Sequence, residues 1–374
     1  MRAIDEVIAA LAARPGRSDS WFVGEPCFEP PVELTDAFVR AAAHRSFHYP
    51  PHDGLPALRE VLAARFAKEG HEITPGQVII TSGAKCGLLA LLATLLEPGD
   101  ELIHPRPSYP AYPAMAARLG ALPVAVAERD GSFSGWPEAV ARHIGPRTRA
   151  VVLASPSNPT GATVDAAQAR ALVELCRNRG IRLICDEAYV DFRFAADRLD
   201  LPADLDPHLT TVVRVHSASK SWAVCGWRLG WIISDASLAT RVASTHNAFV
   251  NPASGPAQAA MCALPEVPAS YLENARSMVA GRMAELCSAL ERTGLPVRKP
   301  EGGFYLWLRV NDLESAAAAG TVGWSVDVAR RAGVGLWPGE DFGGSGHVRI
   351  AVTAPSESDW EPAVEALVES VIHG

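Results

Sequence analysis

The chain has 374 residues, 48% hydrophobic and 20% charged, with a net charge of −8, a composition that fits a globular protein with a substantial buried core. Its basic residues are scattered, so the concentrated positive footprint of a nucleic-acid binder or of an anionic-membrane binder is missing, and small molecules are the expected partners. Seven cysteines, odd in number and without a CxxC pair, read as reduced thiols of a cytoplasmic protein.

In chain order, the opening MRAIDEVIAALAARPGR alternates acids and apolar residues at helical spacing and lacks the basic-then-apolar order of a signal peptide; an amphipathic arm is expected there. From residue 77 to about 233 short β-branched runs alternate with longer Ala/Leu-rich segments, the pattern of parallel strands joined by helical crossovers. Seven strands are expected: QVII (77–80), ELIH (101–104), LPVAV (122–126), RAVVLA (149–154), IRLIC (181–185), TTVVRV (211–216) and LGWIIS (229–234). Most are apolar on both faces, as strands buried between helix layers are. The run CGLLALLATLL (86–96) is too short to span a bilayer and reads as a buried helix ending at EPGD.

After about residue 265 a long amphipathic helix (YLENARSMVAGRMAELCSALERTG) precedes short strands in GGFYLWLRV, GVGLWPG and HVRIAV and then a closing helix. The expected class is therefore α/β, with a seven-stranded, mostly parallel sheet in a large domain and a smaller α+β domain. The boundaries drawn are an arm and part of the small domain over 1–40, the large domain over 41–265 and the small C-terminal domain over 266–374.

Parallel sheets bind ligands beyond the carboxyl ends of their strands. TSGAK, PSY, SPSNPTG, DEAY and SASK all fall just past such ends. In TSGAK, Gly83, Ala84 and Lys85 open a helix whose first N–H groups suit an anion, although neither a Walker loop nor a GxGxxG fingerprint is present. Ser217, Ser219 and Arg228 are suited to complete an anion cage, Arg228 alternatively to a surface salt bridge. Tyr109 is either a stacking ring or a core residue. Asn158 sits in dense turn chemistry where an X-Pro bond can be locked cis, and its amide is either a turn element or a ligand to a ring oxygen. Asp186 is either a helix N-cap or a carboxylate that holds a proton on a heteroaromatic nitrogen, with the Tyr189 phenol beside it. Arg349, a strand arginine among apolar residues, recognises a carboxylate if it faces the cleft.

Lys220 calls for its own reason, because the chain carries only four lysines against thirty arginines. At the edge of a ligand crevice its amine is either half of an ion pair or, partly desolvated, a nucleophile toward carbonyls.

Order and spacing resemble the class I/II aminotransferases of the fold-type-I pyridoxal-phosphate enzymes. The match runs from VGEPCFEPP through YPPHDGLPALRE, TSGAK, SPSNPTG, DEAY and SASKSWAVCGWRLG to HVRI, with an arginine eight residues after the lysine. The resemblance implies that Lys220 carries pyridoxal 5′-phosphate as a Schiff base and, once freed, moves the α-proton. It implies that Asp186 pairs with the pyridine nitrogen, Tyr189 and Asn158 with the ring hydroxyl oxygen, and that Tyr109 stacks on the ring. Gly83, Ala84, Lys85, Ser217, Ser219 and Arg228 would hold the phosphate, joined by Tyr49 from the neighbouring subunit of a homodimer with shared sites. Arg349 would clamp the substrate α-carboxylate, with Gly24 and Asn158 nearby. No metal is implied. The expected reaction moves an amino group from an L-amino acid to a 2-keto acid through pyridoxamine phosphate. Oxidase, cyclase, decarboxylase and β-lyase chemistry on the same fold are the alternatives within the cofactor class, since all share the cofactor cage. A non-catalytic cofactor sensor is disfavoured by the lack of a DNA-binding segment before residue 20, and a nucleotide-type α/β enzyme by the missing glycine fingerprints. In THNAFVNPASGPAQ, where a segment reading the substrate side chain is expected, His246 and Asn247 are the candidates.

Overall fold

Runs of Val, Ile and Leu too short for a buried helix and bounded by turn residues pair into one sheet, and all seven expected strands take part in it. They are β1 Val78–Thr81, β2 Glu101–Arg106, β3 Leu122–Ala127, β4 Thr148–Ala154, β5 Arg182–Asp186, β6 Val212–Ser217 and β7 Gly230–Ile233, in the order β1-β7-β6-β5-β4-β2-β3. The computed structural model describes residues 2–15, 19–43, 48–68, 70, 72–129, 131–194, 203–353 and 360–373. Residues 1, 16 and 17 of the expected arm lie outside them. β7 alone runs antiparallel to its two neighbours, so the other six strands all end on the same edge.

Thirteen helices are found among the described residues. Those of the arm and the sheet are α1 Ala3–Ala13, α2 Val32–Ala43, α3 Pro56–Lys68, α4 Ala84–Leu95, α5 Ala111–Arg118, α6 Trp136–His143, α7 Ala166–Arg179, α8 Ala218–Ser221, α9 Ala236–Phe249 and α10 Gly255–Met261. They are followed by α11 Ser270–Glu291, α12 Glu314–Ala332 and α13 Trp360–His373. Alternating side chains of the strands go to opposite layers. Leu183 and Cys185 of β5 join Leu58, Leu62, Phe66, Trp136 and Leu172 on one face. Ile184 between them joins Leu88, Leu91, Leu92 and Val242 on the other. Full burial of each such Leu or Ile stabilises by about 1.5–3 kcal/mol. β3 departs from the expected two-sided burial: Leu122, Pro123, Ala125 and Ala127 are exposed. It pairs only with β2 at the sheet edge, where a proline that lacks an N–H is tolerated.

A second, antiparallel sheet of β8 Tyr305–Arg309, β10 His347–Ala351 and β9 Trp337–Pro338 is covered by α11, α12 and α13, whose Val279, Met283, Leu286, Trp324, Val328 and Leu367 share one core. α12 is missing from the sequence reading because Gly320, at φ +71°, breaks its periodicity. α1 packs its Ile4, Val7, Ala10 and Leu11 beside Ala329 and Trp337. α2 places Leu34 and Ala37 in the core of the large sheet. No described helix is long and apolar enough to cross a membrane.

Candidate active site

The edge where six strands end opens into a cavity of about 850 Å³. β1 leads into α4 at its rim, β2 into Tyr109, β4 into the turn bearing Asn158, β5 ends on Asp186, and β6 runs through Ser217 into α8 with Lys220. The cavity thus gathers residues far apart in sequence: Lys220 meets Gly24 across 196 positions and Arg349 meets Phe22 across 327.

The start of α4 is built for an anion. Its N-cap is Gly83, at φ +82°, and no side chain caps the helix. A Cβ on Gly83 would lie 2.6 Å from Arg228 Nη2, so only glycine lets that guanidinium lie against the helix start. A Cβ on Gly230 would likewise meet the Ala84 nitrogen at 2.5 Å. Arg228 itself takes a left-handed conformation and anchors Nη1 on the Cys225 carbonyl at 3.1 Å. Ser217 and Ser219, both buried, line the same cavity as Ala84, Lys85 and Arg228. Unsatisfied helix N–H groups, two hydroxyls and an arginine make a site for a phosphate-like group.

His246, a candidate for reading the substrate side chain, is instead fully buried on α9, where its Nε2 accepts a hydrogen bond from the Ser82 N–H at 3.1 Å. Burial lowers its pKa and keeps it the neutral acceptor that this bond requires. It braces the TSGAK turn from below. Asn247 is exposed and away from the cavity.

Asp186 closes the floor. Burial raises its carboxyl pKa, partly offset by the Tyr112 hydroxyl, which donates to Oδ2 at 2.7 Å, and by the Ala188 N–H, which donates to Oδ1 at 3.1 Å. Among the described residues no lysine or arginine pairs with it. Its neighbour Glu187 turns the other way, onto Arg214 Nε at 2.9 Å and His216 Nε2 at 2.6 Å, the latter close but poorly aligned for a hydrogen bond. Burial alone would raise the Glu187 pKa, but these two partners outweigh it and hold it at about 2. Lys220, half-buried, donates to the Gly24 carbonyl at 2.6 Å.

Arg349 is 2% exposed. Its Nη1 donates to Asn158 Oδ1 at 3.0 Å and its Nη2 to the Phe22 carbonyl at 2.5 Å, while Nε has no partner. The guanidinium carbon lies 3.9 Å from the Tyr305 ring centroid, 4.5 Å from Trp337 and 4.9 Å from Phe342, an aromatic cage that supports a cation without neutralising it. No carboxylate pairs with it among the described residues. Burial lowers its pKa. The Tyr189 and Tyr305 hydroxyls share a hydrogen bond at 2.7 Å, and a Cβ on Gly24 would fall 2.0 Å from the Tyr305 oxygen. Tyr109 stands edge-on to Tyr112, ring centroids 5.6 Å apart. The Asn158–Pro159 peptide is cis, as are Ser155–Pro156 and Arg106–Pro107.

Of the residues singled out in the sequence, Gly24, Ala84, Lys85, Tyr109, Asn158 and Asp186 line the cavity together with Tyr189, Ser217, Ser219, Lys220, Arg228 and Arg349, and Gly83 stands at the N-cap beside it. Tyr49 does not: it is 78% exposed, and among the described residues its hydroxyl accepts only from Asn251 Nδ2, at 3.4 Å. The sequence reading missed Tyr112, Tyr305, Phe22 and Trp337. For Tyr112, three residues after Tyr109, the helical spacing of two tyrosines past a strand end was the available signal. Among the described residues no group of three or more His, Cys, Asp or Glu is placed to hold a metal.

The sequence profile of the family described as "Aminotransferase class I and II" matches residues 20–367. The aspartate aminotransferase of Geobacillus stearothermophilus is 32% identical over 92% of this chain and 88% of its own. An arginine–pyruvate transaminase of Pseudomonas aeruginosa is 33% identical over 90% of this chain and 85% of its own. The solved structure of Thermus thermophilus aspartate aminotransferase with maleate superposes with a TM-score of 0.89 at 30% identity, covering 100% of this chain and 96% of that one.

Proposed function

From the premise that the chain belongs to the class I and II aminotransferases, we propose which of its residues move an amino group between an amino acid and a 2-keto acid with the help of pyridoxal 5′-phosphate. The cavity fits that cofactor. Asp186 is a buried carboxylate without a cationic side-chain partner, suited to a protonated ring nitrogen, and the α4 cradle offers donors to a phosphate. When bound, pyridoxal phosphate supplies an aldehyde that captures the substrate amine and a ring that takes up the electron pair left by the α-proton.

The remaining work falls to the chain. Asp186, oriented by Tyr112 and the Ala188 N–H, would hold the ring nitrogen protonated through its negative charge. Tyr189 and Asn158 would serve the ring hydroxyl oxygen, and Tyr109, which lines the same cavity, would pack against the ring. Gly83, Ala84, Lys85, Ser217, Ser219 and Arg228 would hold the phosphate. Lys220 Nζ, at the cavity wall beside the Gly24 carbonyl, would take the proton from the substrate α-carbon and pass it on rather than back to that carbon, so that a 2-keto acid can leave. Arg349 binds the α-carboxylate, with the Gly24 backbone beside it, and so fixes which bond at the α-carbon faces the lysine.

The observation that carries this reading is a pair of buried, opposite charges in one cavity, Asp186 and Arg349, neither matched by an ionised side chain among the described residues. Burying an unpaired charge is costly, and a site that bears two such charges is complementary to a ligand bearing their opposites. We further propose a cytoplasmic homodimer in which Tyr49 serves the neighbour's phosphate, and a division into an arm over 1–40, a large domain over 41–265 and a small domain over 266–374.

Lys220→Ala should lose at least about a thousandfold in kcat while keeping its fold. In wild type, single-turnover mixing with an amino acid should give one equivalent of 2-keto acid per site, with no ammonia and no oxygen uptake. Wild-type turnover in Lys220→Ala would remove the lysine from this scheme.

A further inference from the structure

α1 belongs to the arm, yet Arg2, Ile4 and Ile8 at its N-terminal end line the same cavity as Lys220 and Arg349. Ile4 and Ile8 are one turn apart and share a helix face. Ile4 is buried beside Phe22 and Trp337, while Ile8 is 42% exposed.

One carboxylate fixes that end of the helix. Asp341 Oδ1 accepts from the Ala3 N–H at 3.0 Å and Oδ2 from the Ile4 N–H at 3.1 Å. Arg2 precedes the helix and supplies no side-chain cap of its own, so Asp341 takes the capping place from 338 residues away. A negative charge there also complements the helix dipole. The same Oδ2 accepts from Trp337 Nε1 at 2.8 Å, and the Trp337 ring is a wall of the Arg349 cage. A single side chain therefore ties α1 to the group that faces the substrate carboxylate.

The face that α1 presents is aliphatic. Of the charged residues lining the cavity, Asp186, Lys220, Lys85, Arg228 and Arg349 already have roles at the cofactor or the α-carboxylate. Arg2 is exposed and paired with Asp5 at 2.9 Å, and Glu25 is exposed. A charged substrate side chain laid on Ile4 and Ile8 would lose water there, with only the solvent-exposed Arg2, already paired with Asp5, and Glu25 of this chain left to meet it.

We propose that Asp341 is a positioning residue that latches α1 across the cavity, and that the aliphatic face held there by Ile4 and Ile8 selects amino acids with apolar side chains. This rests on the reading of Arg349 and Lys220 given above. Each added substrate methylene buried on that face should raise kcat/KM about fourfold.

The test uses the holoenzyme with 2-aminobutyrate, norvaline and norleucine against aspartate and arginine. Wild type should show the fourfold steps and prefer norleucine over both charged substrates, and hexanoate should bind more tightly than succinate by calorimetry. Asp341→Ala should raise KM for norleucine about tenfold with kcat little changed, flatten the chain-length steps and lose hydrogen-exchange protection at the start of α1. Asp341→Asn, which keeps one accepting oxygen, should fall between. Ile8→Ser should flatten the steps even if Asp341→Ala fails to fold. Normal turnover with no chain-length steps, a preference for aspartate or arginine, or steps that survive both Asp341→Ala and Ile8→Ser would overturn the proposal and leave the aminotransferase site standing. Failure of every amino acid to react would overturn the reading of the site and this inference with it.

Discussion

Arg349 shows how much of a residue's role comes from what is withheld from it. In HVRIAV its apolar neighbours mark it as an arginine with a purpose, and its alternation along β10 was readable. Its aromatic cage was not, because Tyr305, Trp337 and Phe342 come from three other segments. The guanidinium fork suits a carboxylate bidentately, whereas a lysine amine is a point charge that cannot also reach Asn158 and the Phe22 carbonyl. Arg349→Lys should therefore raise KM for amino acids about thirtyfold with cofactor absorbance unchanged, corresponding to the loss of one charge-assisted hydrogen bond. An unchanged KM would take the carboxylate away from this residue. Asp186 is the converse case. Its place at the end of an apolar strand was legible, but the Tyr112 hydroxyl that orients it was not, since that contact spans 74 residues.

At the scale of elements, β3 and the turn after β4 meet in a way that periodicity does not reveal. Glu128 follows β3 and is 8% exposed, and neither of its oxygens has a hydrogen bond of ordinary geometry. Burial pushes its pKa up to about 7, against a smaller pull downward from the Thr160 hydroxyl and Arg298. Thr160 sits in the same turn as Asn158. The sign follows directly: a carboxyl with its folded pKa raised holds a proton that the unfolded chain releases, so stability is full below the ordinary value near 4.5 and falls as pH rises toward 7. The fall attributable to Glu128 is about 3 kcal/mol at most. Glu128→Gln should flatten the dependence of urea-unfolding stability on pH between 5 and 8 relative to wild type; parallel profiles would show that this carboxyl is not the source. The strands themselves were legible because buried parallel strands must be apolar on both faces, and β3, the terminal strand of the sheet, departs from that rule.

For the whole molecule, the residues that stay outside the cavity matter as much as those within it. Tyr49 is exposed, as are the apolar side chains of Val39 at 66% and Phe249 at 48%. In the proposed homodimer, Tyr49 is expected to lie against the second copy of the chain. The 39.7 kDa chain should sediment as a dimer, and Tyr49→Phe should weaken pyridoxal phosphate binding about tenfold through the loss of one hydrogen bond to phosphate. A monomer with undiminished cofactor affinity would refute that assembly.

What the amino-acid order determined by itself was whatever depends on near neighbours: the apolar runs that must become strands, the motifs that fall just past their ends, and a scarce lysine eight residues before an arginine. What tertiary structure alone decided was which distant groups are brought to one place. Asp341 caps a helix 338 residues away, His246 braces a turn instead of facing substrate, and Arg349 is caged by rings from β8, β9 and the turn after β9. Such contacts leave no periodic trace, because a hydrogen bond or a cation over a ring is fixed by distance in space, and the chain between the partners is free to have any pattern that folds.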